Sequence, residues 1–348
     1  MIKKITLFAA ATFLSLSTFA QEETEEKKSF TIEGSVDVYF RQNISGPNGE
    51  DAIAPATSFA NRNGFALGMA NVIGVFESKD AKVGAVADLV FGPRGEEAVF
   101  LSDPSSNIVN QLYVYWNVSE KVKLTLGNFN TFLGYEVISP TANFNYSTSY
   151  MFSYGPFSHT GIKADFVVSE DVTAMVGILN QTDATEFNFD NNYTLGAQLG
   201  YKSTYLNFLY GKQGGSTEST FQVDLTTGHD ISNEFYLGVN ATYNDTDGSA
   251  FYGVALYPQY KTSESFTLGL RGEYFAETEG GVGAIGAYDT SGDASVIALT
   301  LTGSYEVGNL TIKPELRFDS TSEDTFLDTD QMPSDSLTSF LVAGIYKF

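Results

Sequence analysis

Residues 29–42 read SFTIEGSVDVYFRQ. Phe30, Ile32, Val36, Val38 and Phe40 occupy one set of alternate positions, and Thr31, Glu33, Ser35, Asp37, Tyr39 and Arg41 the other. A strand sends successive side chains to opposite faces, so this stretch has one greasy and one ionised face. The same period of two returns in KVKLTLGN (121–128), GIKADFVV (161–168), STFQVDLT (219–226) and NLTIKPELRFDS (309–320). Sixteen such segments start near residues 29, 63, 82, 107, 121, 158, 171, 192, 204, 217, 233, 250, 265, 293, 309 and 337. Most run ten to fourteen residues, and a tilted strand crosses hydrocarbon with about nine to eleven.

The connections alternate in length. Residues 78–81, 119–120, 169–170, 203, 262–264 and 307–308 make tight turns, whereas 43–62, 93–106, 131–157, 278–292 and 320–336 are long. A transmembrane barrel has one rim of turns and one of loops, which a soluble sandwich has no reason to show. Residues 227–232 are long for a turn, and the loops after the ninth and eleventh segments are short. The expected fold is all-β: an antiparallel up-and-down transmembrane barrel of about 16 strands over residues 29–348.

Charge decides which face points inward, because a charged side chain in mid-hydrocarbon costs roughly 2–4 kcal/mol. The lumen should therefore hold the cations Arg41, Lys123, Lys163, Arg271, Lys313 and Arg317. The anions Glu33, Asp37, Asp88, Asp165, Asp224, Glu273, Glu315 and Asp319 should face them. These residues read as pore lining, and as paired charges bracing a wet wall. Closure is compulsory, since an open sheet would leave unpaired edges in lipid. Phe30, Phe76, Trp116, Tyr201, Tyr205, Phe235, Tyr260, Phe266, Tyr305 and Phe348 should form the periplasmic girdle. Phe40, Phe91, Phe129, Tyr210, Tyr243, Tyr274, Phe318 and Phe340 should form the outer one.

The composition agrees: 33 Gly, 28 Phe and 20 Tyr among 348 residues, with one Trp and no Cys. Lacking Cys, the chain can have no disulfide framework, thiolate metal site or cysteine nucleophile. Residues 1–20, MIKKITLFAAATFLSLSTFA, read as a secretory signal with Lys3 and Lys4 leading an apolar core. Residues 21–28 read as a solvated periplasmic tail. Without Lys3 and Lys4, 17 basic residues stand against 42 acidic ones, a formal net charge of −25. That excludes a nucleic-acid partner, which requires basic surface.

Phe340, Val342, Gly344, Tyr346 and Phe348 share the outward face of the final segment, LTSFLVAGIYKF. It resembles the C-terminal signature of bacterial outer-membrane proteins, which implies the barrel-assembly machinery as a partner reading Phe348. Gly344, Leu341 and Ile345 depart from that signature. A longer stretch carries Gly127, Phe129, Gly134-Tyr135-Glu136, Ile138, Asn143, Tyr146-Ser147, Tyr150, Phe152, Gly155-Pro156 and His159-Thr160-Gly161. It resembles the corresponding segment of the beta-barrel porin-2 (OmpL-like) family. The resemblance implies a porin in the outer membrane of a Gram-negative-type bacterium, without catalytic residues or a defined substrate.

Loop 131–157 holds eight Phe or Tyr residues, too aromatic to stand in water. It should either constrict the lumen, with Tyr135, Glu136, Asn143, Tyr146 and Tyr150 as constriction residues, or lie over the rim as a lid. No catalytic centre, metal site or cofactor is expected. His159 reads as a hydrogen-bonded residue at a strand–loop junction, because Ser169 lies about 33 Å along the strand. His229 reads as a solvated turn residue. NDTDGS (244–249) reads as a hairpin tip rather than a calcium loop. The acidic run Glu323, Asp324, Asp328, Asp330 and Asp335 reads as a solvated face.

The functional expectation is a water-filled channel for passive diffusion of small polar solutes, with acidic mouths weakly favouring cations. Lipid and lipopolysaccharide would surround it, and a homotrimer would suit it. The rivals are a loop-occluded barrel serving as adhesin or surface receptor, and a membrane hydrolase. Two local points stay open in the sequence. GFALGMANVIGVFES (64–78) has no cleanly polar face, and Pro258 and Pro314 should each force a bulge.

Overall fold

The computed structural model describes residues 29–214 and 216–348; the signal segment 1–20 and tail 21–28 lie outside the described residues. The strands are β1 (Ser29–Asn43), β2 (Gly64–Glu77), β3 (Val83–Phe91), β4 (Val109–Ser119), β5 (Val122–Asn130) and β6 (Ser158–Val167). Next come β7 (Val172–Leu179), β8 (Thr194–Tyr201), β9 (Thr204–Lys212), β10 (Ser219–Asp230), β11 (Phe235–Thr246) and β12 (Ser249–Lys261). The remainder are β13 (Phe266–Thr278), β14 (Ala294–Val307), β15 (Leu310–Thr321), the two-residue β16 (Phe326–Leu327) and β17 (Pro333–Ser334), and β18 (Ser336–Lys347). Two short helices, α1 (Pro93–Ala98) and α2 (Tyr150–Tyr154), sit in loops. Among the described residues, no helix is long and apolar enough to cross a membrane.

All strands but β16 and β17 join in one closed antiparallel barrel, each pairing with its chain neighbours and β18 returning to β1. The sixteen barrel strands begin within two residues of the positions expected from the two-residue period. Outward residues are exposed, such as Phe30, Ile32 and Val38 at 53–57%. Inward Ser35, Asp37, Tyr39 and Arg41 are buried. The seam closes on its last residue: Gly34 N–H donates to Phe348 O at 3.1 Å, and Phe348 N–H returns to Gly34 O at 3.0 Å.

The unclear second strand has a physical cause. Val36 pairs with Ala70 but Val38 with Leu67, so β2 carries one extra residue, a bulge at Gly68–Met69. Outward positions are therefore odd before it (Phe65, Leu67) and even after it (Val72, Phe76). The Asp37 carboxylate accepts the Met69 N–H at 3.1 Å, and a Cβ at Gly68 would overlap that carboxylate.

Three sets of expectations are corrected. Pro258 and Pro314 make gaps rather than bulges. The β12–β13 ladder resumes from Leu256–Gly272 to Gln259–Gly269, and the β14–β15 ladder from Thr302–Glu315 to Tyr305–Ile312. Both strands of each pair advance three residues, so the missing proline N–H removes rungs without shifting register. Phe129 and Tyr205 leave the girdles, because each shares the inward parity of its strand, with Lys123 and Asn207 respectively. Phe129 is 4% exposed inside the barrel. Finally, β10 extends through Asp230, which leaves a short turn at 231–234 and puts His229 in the strand rather than the turn.

The seam yields a test. A Cβ at Gly34 would overlap Asn71 O and the Phe348 ring, and overpacking of this kind costs about 1–3 kcal/mol. Gly34→Val should lower the urea midpoint in detergent micelles and the fraction with folded, heat-modifiable gel mobility. Gly344→Val, whose Cβ meets nothing within 4 Å, should leave both unchanged.

Candidate functional site

Loop 131–157 leaves β5 and re-enters β6 through a narrow neck. Thr131 N–H donates to Phe157 O at 2.9 Å. The Asp183 carboxylate accepts the Phe157 and Ser158 N–H groups at 2.7 and 2.9 Å. His159, fully buried, has Nε2 2.9 Å from Thr131 Oγ1 and its ring 4.9 Å from that of Phe132. With its ends clamped, the loop must bury its aromatic residues locally, and it does so in the lumen.

There its backbone is bound by the wall's charges. Glu315 accepts the Tyr146 and Ser147 N–H groups. Glu273 accepts those of Tyr150 and Met151 at 2.9 and 2.8 Å, donors of a first helical turn that have no intrahelical partner. Asp224 accepts Gly134 N–H at 2.9 Å, and Asp37 the Tyr146 hydroxyl at 2.5 Å. The cations take the carbonyls: Arg271 donates to Ser147 O at 2.6 Å, Arg317 to Thr148 O at 2.9 Å and Lys313 to Asn143 O at 2.5 Å. Arg271 also pairs with Glu136 at 2.7 Å, and Arg317 with Asp319 at 2.8 Å. Within the loop, Asn143 grips Val137 through N–H and carbonyl bonds of 2.8 and 2.6 Å.

The loop's large side chains fit where the wall has no side chain. A Cβ on inward-facing Gly196 would meet Phe132, one on Gly238 Tyr135, one on Gly269 Phe144 and one on Gly253 Met151. Tyr135 stacks on Tyr257 at 4.2 Å and shares a 2.9 Å hydrogen bond with the Tyr236 hydroxyl. Tyr150 stacks on Phe275 with ring centres 5.7 Å apart. The wall and loop are two complementary halves of one packed interior.

Of the fourteen charged residues expected to line the lumen, Asp37, Arg41, Asp88, Asp224, Arg271, Glu273, Lys313, Glu315, Arg317 and Asp319 are each at most 5% exposed. Asp88 accepts from Asn71, from Asn110 at 2.7 Å and from Gln111 at 2.9 Å. Lys123, Lys163 and Asp165 are half-buried and Glu33 is exposed. Lys163 donates to both Asp165 oxygens at 2.9 Å, and Lys123 Nζ lies 4.3 Å from the centre of the Tyr115 ring. Between the loop and the β1/β15/β18 seam, Arg41, Asn61, Arg317 and Ser339 help line a cavity of about 10 Å³, room for about one water.

Arg94 was missed. From α1 it donates to Ile138 O at 2.9 Å and Tyr146 O at 3.2 Å, with its guanidinium 4.3 Å from the Phe59 ring. A residue on a long loop has no period to reveal it. The sockets did leave a trace, as glycines on the inward parity of their strands.

Burial pushes the phenols of Tyr135, Tyr146 and Tyr150 above their usual range, and the charge of Asp37 adds to this for Tyr146. They stay hydrogen-bond donors at any physiological pH. Burial also pushes Asp183 up to about 6, against the pull of its two backbone donors.

The family described as Putative beta-barrel porin-2, OmpL-like, matches residues 29–348. Among solved structures, the outer membrane channel DcaP of Acinetobacter baumannii aligns over 95% of this chain and 100% of its own, with TM-score 0.59 and 13% identity. OmpT of Vibrio cholerae aligns over 94% and 99%, with TM-score 0.55 and 11% identity. An in-vitro folded trimer form of OmpT aligns over 92% and 99%, with TM-score 0.54 and 13% identity. At such identities the likeness is one of fold. No curated protein matches the chain.

Two variants test how the loop is held. Glu273→Ala strands two buried N–H groups, each costing about 1–3 kcal/mol. It should expose residues 135–154 to protease while the barrel stays folded. Asp183 sits above its ordinary value, so the native state holds an extra proton between about pH 4 and 6. Its burial penalty is thus absent on the acid side and complete above that window. Asp183→Asn keeps an acceptor oxygen, so it should raise the urea midpoint at pH 8, leave it unchanged at pH 4, and flatten the slope between.

Proposed function

The chain belongs to the beta-barrel porin-2, OmpL-like family and resides in the outer membrane, and from that premise we propose that it is a narrow-bore porin. Small hydrophilic solutes would diffuse passively through it, with loop 131–157 as the constriction. The observation that carries this reading is the loop itself, folded across the lumen of a closed barrel and held by wall carboxylates and guanidinium groups. Such a fold supports a channel rather than an enzyme. The fourteen lumen charges then divide by role. Of the ten buried ones, Asp37, Asp224, Arg271, Glu273, Lys313, Glu315 and Arg317 hold the constriction, Asp319 pairs with Arg317, and Asp88 and Arg41 bond other groups, while Lys123, Lys163, Asp165 and Glu33 meet the solute.

Weak cation preference follows from the outer rim. Its exposed residues include Glu50, Asp51, Asp190, Asp289, Asp324 and Asp330 against Arg62 and Lys212, whereas the opposite rim mixes Lys79, Lys82, Lys121, Lys202 and Lys261 with its acids. An acidic mouth concentrates cations before they reach the bore. The partners on this reading are outer-membrane lipid, lipopolysaccharide and the assembly machinery at Phe348, and the assembly is a homotrimer, as in the trimer form of OmpT.

One observation favours a second reading. Burial of ten lumen charges to 5% exposure or less suits a loop-occluded barrel acting as adhesin or surface receptor. Planar-bilayer recording separates the two. The porin should give discrete, small conductance steps with a reversal potential favouring cations, and deletion of residues 135–154 should enlarge the steps. Silence in the intact protein, with large steps only after the deletion, would favour the occluded barrel. Anion preference would contradict the rim argument.

A further inference from the structure

Arg41 points inward from β1 and is 3% exposed. Its guanidinium donates to Ile53 O at 3.2 Å and to Asn43 Oδ1 at 2.9 Å. Among the described residues, its other N–H groups have no protein acceptor and it joins no ion pair. A buried cation is costly unless an anion offsets it.

The nearest carboxylates are committed elsewhere. Across β18 the register sets Arg41 opposite Leu341 and Asn43 opposite Ser339. On the far side of that strand, Leu341 stands opposite Glu315 and Ser339 opposite Arg317. Asp319 accepts from Arg317 through both oxygens, at 2.8–3.2 Å. Glu315 accepts the Tyr146 and Ser147 N–H groups and the Thr302 hydroxyl. Neither carboxylate is left to pair with Arg41.

The water-sized cavity at the β1/β15/β18 seam lies between the two arginines, with Ser339 and Leu341 on its wall. Ser339 is 4% exposed, and among the described residues its hydroxyl has no hydrogen-bond partner. Two guanidinium groups and a hydroxyl thus converge as donors on one small space, which rules out a metal cation. A polyatomic anion such as sulfate or a carboxylate exceeds a space of about one water. A halide is only a little larger than water and accepts hydrogen bonds from any direction. Water itself would fit but would leave the Arg41 charge without a counter-ion.

We propose that this cavity binds a chloride ion, held by Arg41, Arg317 and the Ser339 hydroxyl. The ion offsets the repulsion between two cations that each hold loops. Arg41 takes Ile53 O from the loop between β1 and β2, and Arg317 takes Thr57 Oγ1 from the same loop and Thr148 O from loop 131–157. Chloride binding is therefore linked to the docking of both loops in the lumen. The chain's formal net charge of −23 repels anions in general, so a halide effect on its stability marks a built site. The site depends on the fold alone, whether or not the barrel conducts.

Crystals of the detergent-solubilised protein grown in sodium bromide should show an anomalous-scattering peak between the Arg41 and Arg317 guanidinium groups. In micelles, chloride should raise the urea midpoint in proportion to the logarithm of its concentration once the site is half filled. Gluconate, too large for the cavity, replaces chloride so that ionic strength and screening stay fixed. Arg41→Met keeps an apolar stem without the charge and should lose both the bromide peak and the chloride slope. Ser339→Val keeps both guanidinium groups, places methyl groups in the cavity and should lose the same two signals, which preserves the test if Arg41→Met does not fold. No bromide peak in the cavity, a chloride slope retained by either folded variant, or a bromide peak with no chloride slope, an adventitious ion only, would overturn the proposal.

Discussion

Hydrocarbon offers no hydrogen-bond partner, so each backbone N–H and C=O within the bilayer must be paired by the protein itself. Everything else in this structure follows from that constraint. It requires closure, and the closure runs through Gly34 and Phe348, whose two reciprocal bonds continue the β1–β18 ladder to its end. It also explains how Pro258 and Pro314 can sit in the barrel: each removes rungs, but the strands on both sides keep step and the ladder resumes in the same register.

The same constraint reaches into the lumen in a different form. A loop brought into the barrel carries its own unpaired amides with it, and where water is excluded these must find acceptors. Glu273 and Glu315 each take two consecutive N–H groups, and Arg271, Arg317 and Lys313 take carbonyls. The wall's charges thus serve the backbone of the loop as much as one another. Glycines at inward positions of β8, β11, β12 and β13 make room for the rings and the methionine that accompany it. Loop and wall are specified together, and altering either leaves the other unsatisfied.

Much of this could be read in the chain before folding. Alternation of apolar and polar residues sets strand number, face and boundaries, because a strand has a period of two and a charge cannot face lipid. The inward set from Asp37 to Asp319 is legible for the same reason. Where the reading blurred, at Gly68–Met69, the cause is a bulge that switches parity in mid-strand. The aromatic density of loop 131–157 announces burial, but leaves open whether in the lumen or over the rim. Arg94 carried no signal, since its role depends on α1 lying over residues distant in the chain.

By itself, then, the sequence determined a closed barrel with ionised interior and greasy exterior, since both follow from local alternation and the dielectric on each side. Only the tertiary structure decided that most of those interior charges are dry. Whether a carboxylate meets water or an amide depends on what segment fills the space opposite. Here that segment is joined to Glu273 and Glu315 by contacts spanning more than a hundred residues, a distance over which no local pattern carries information.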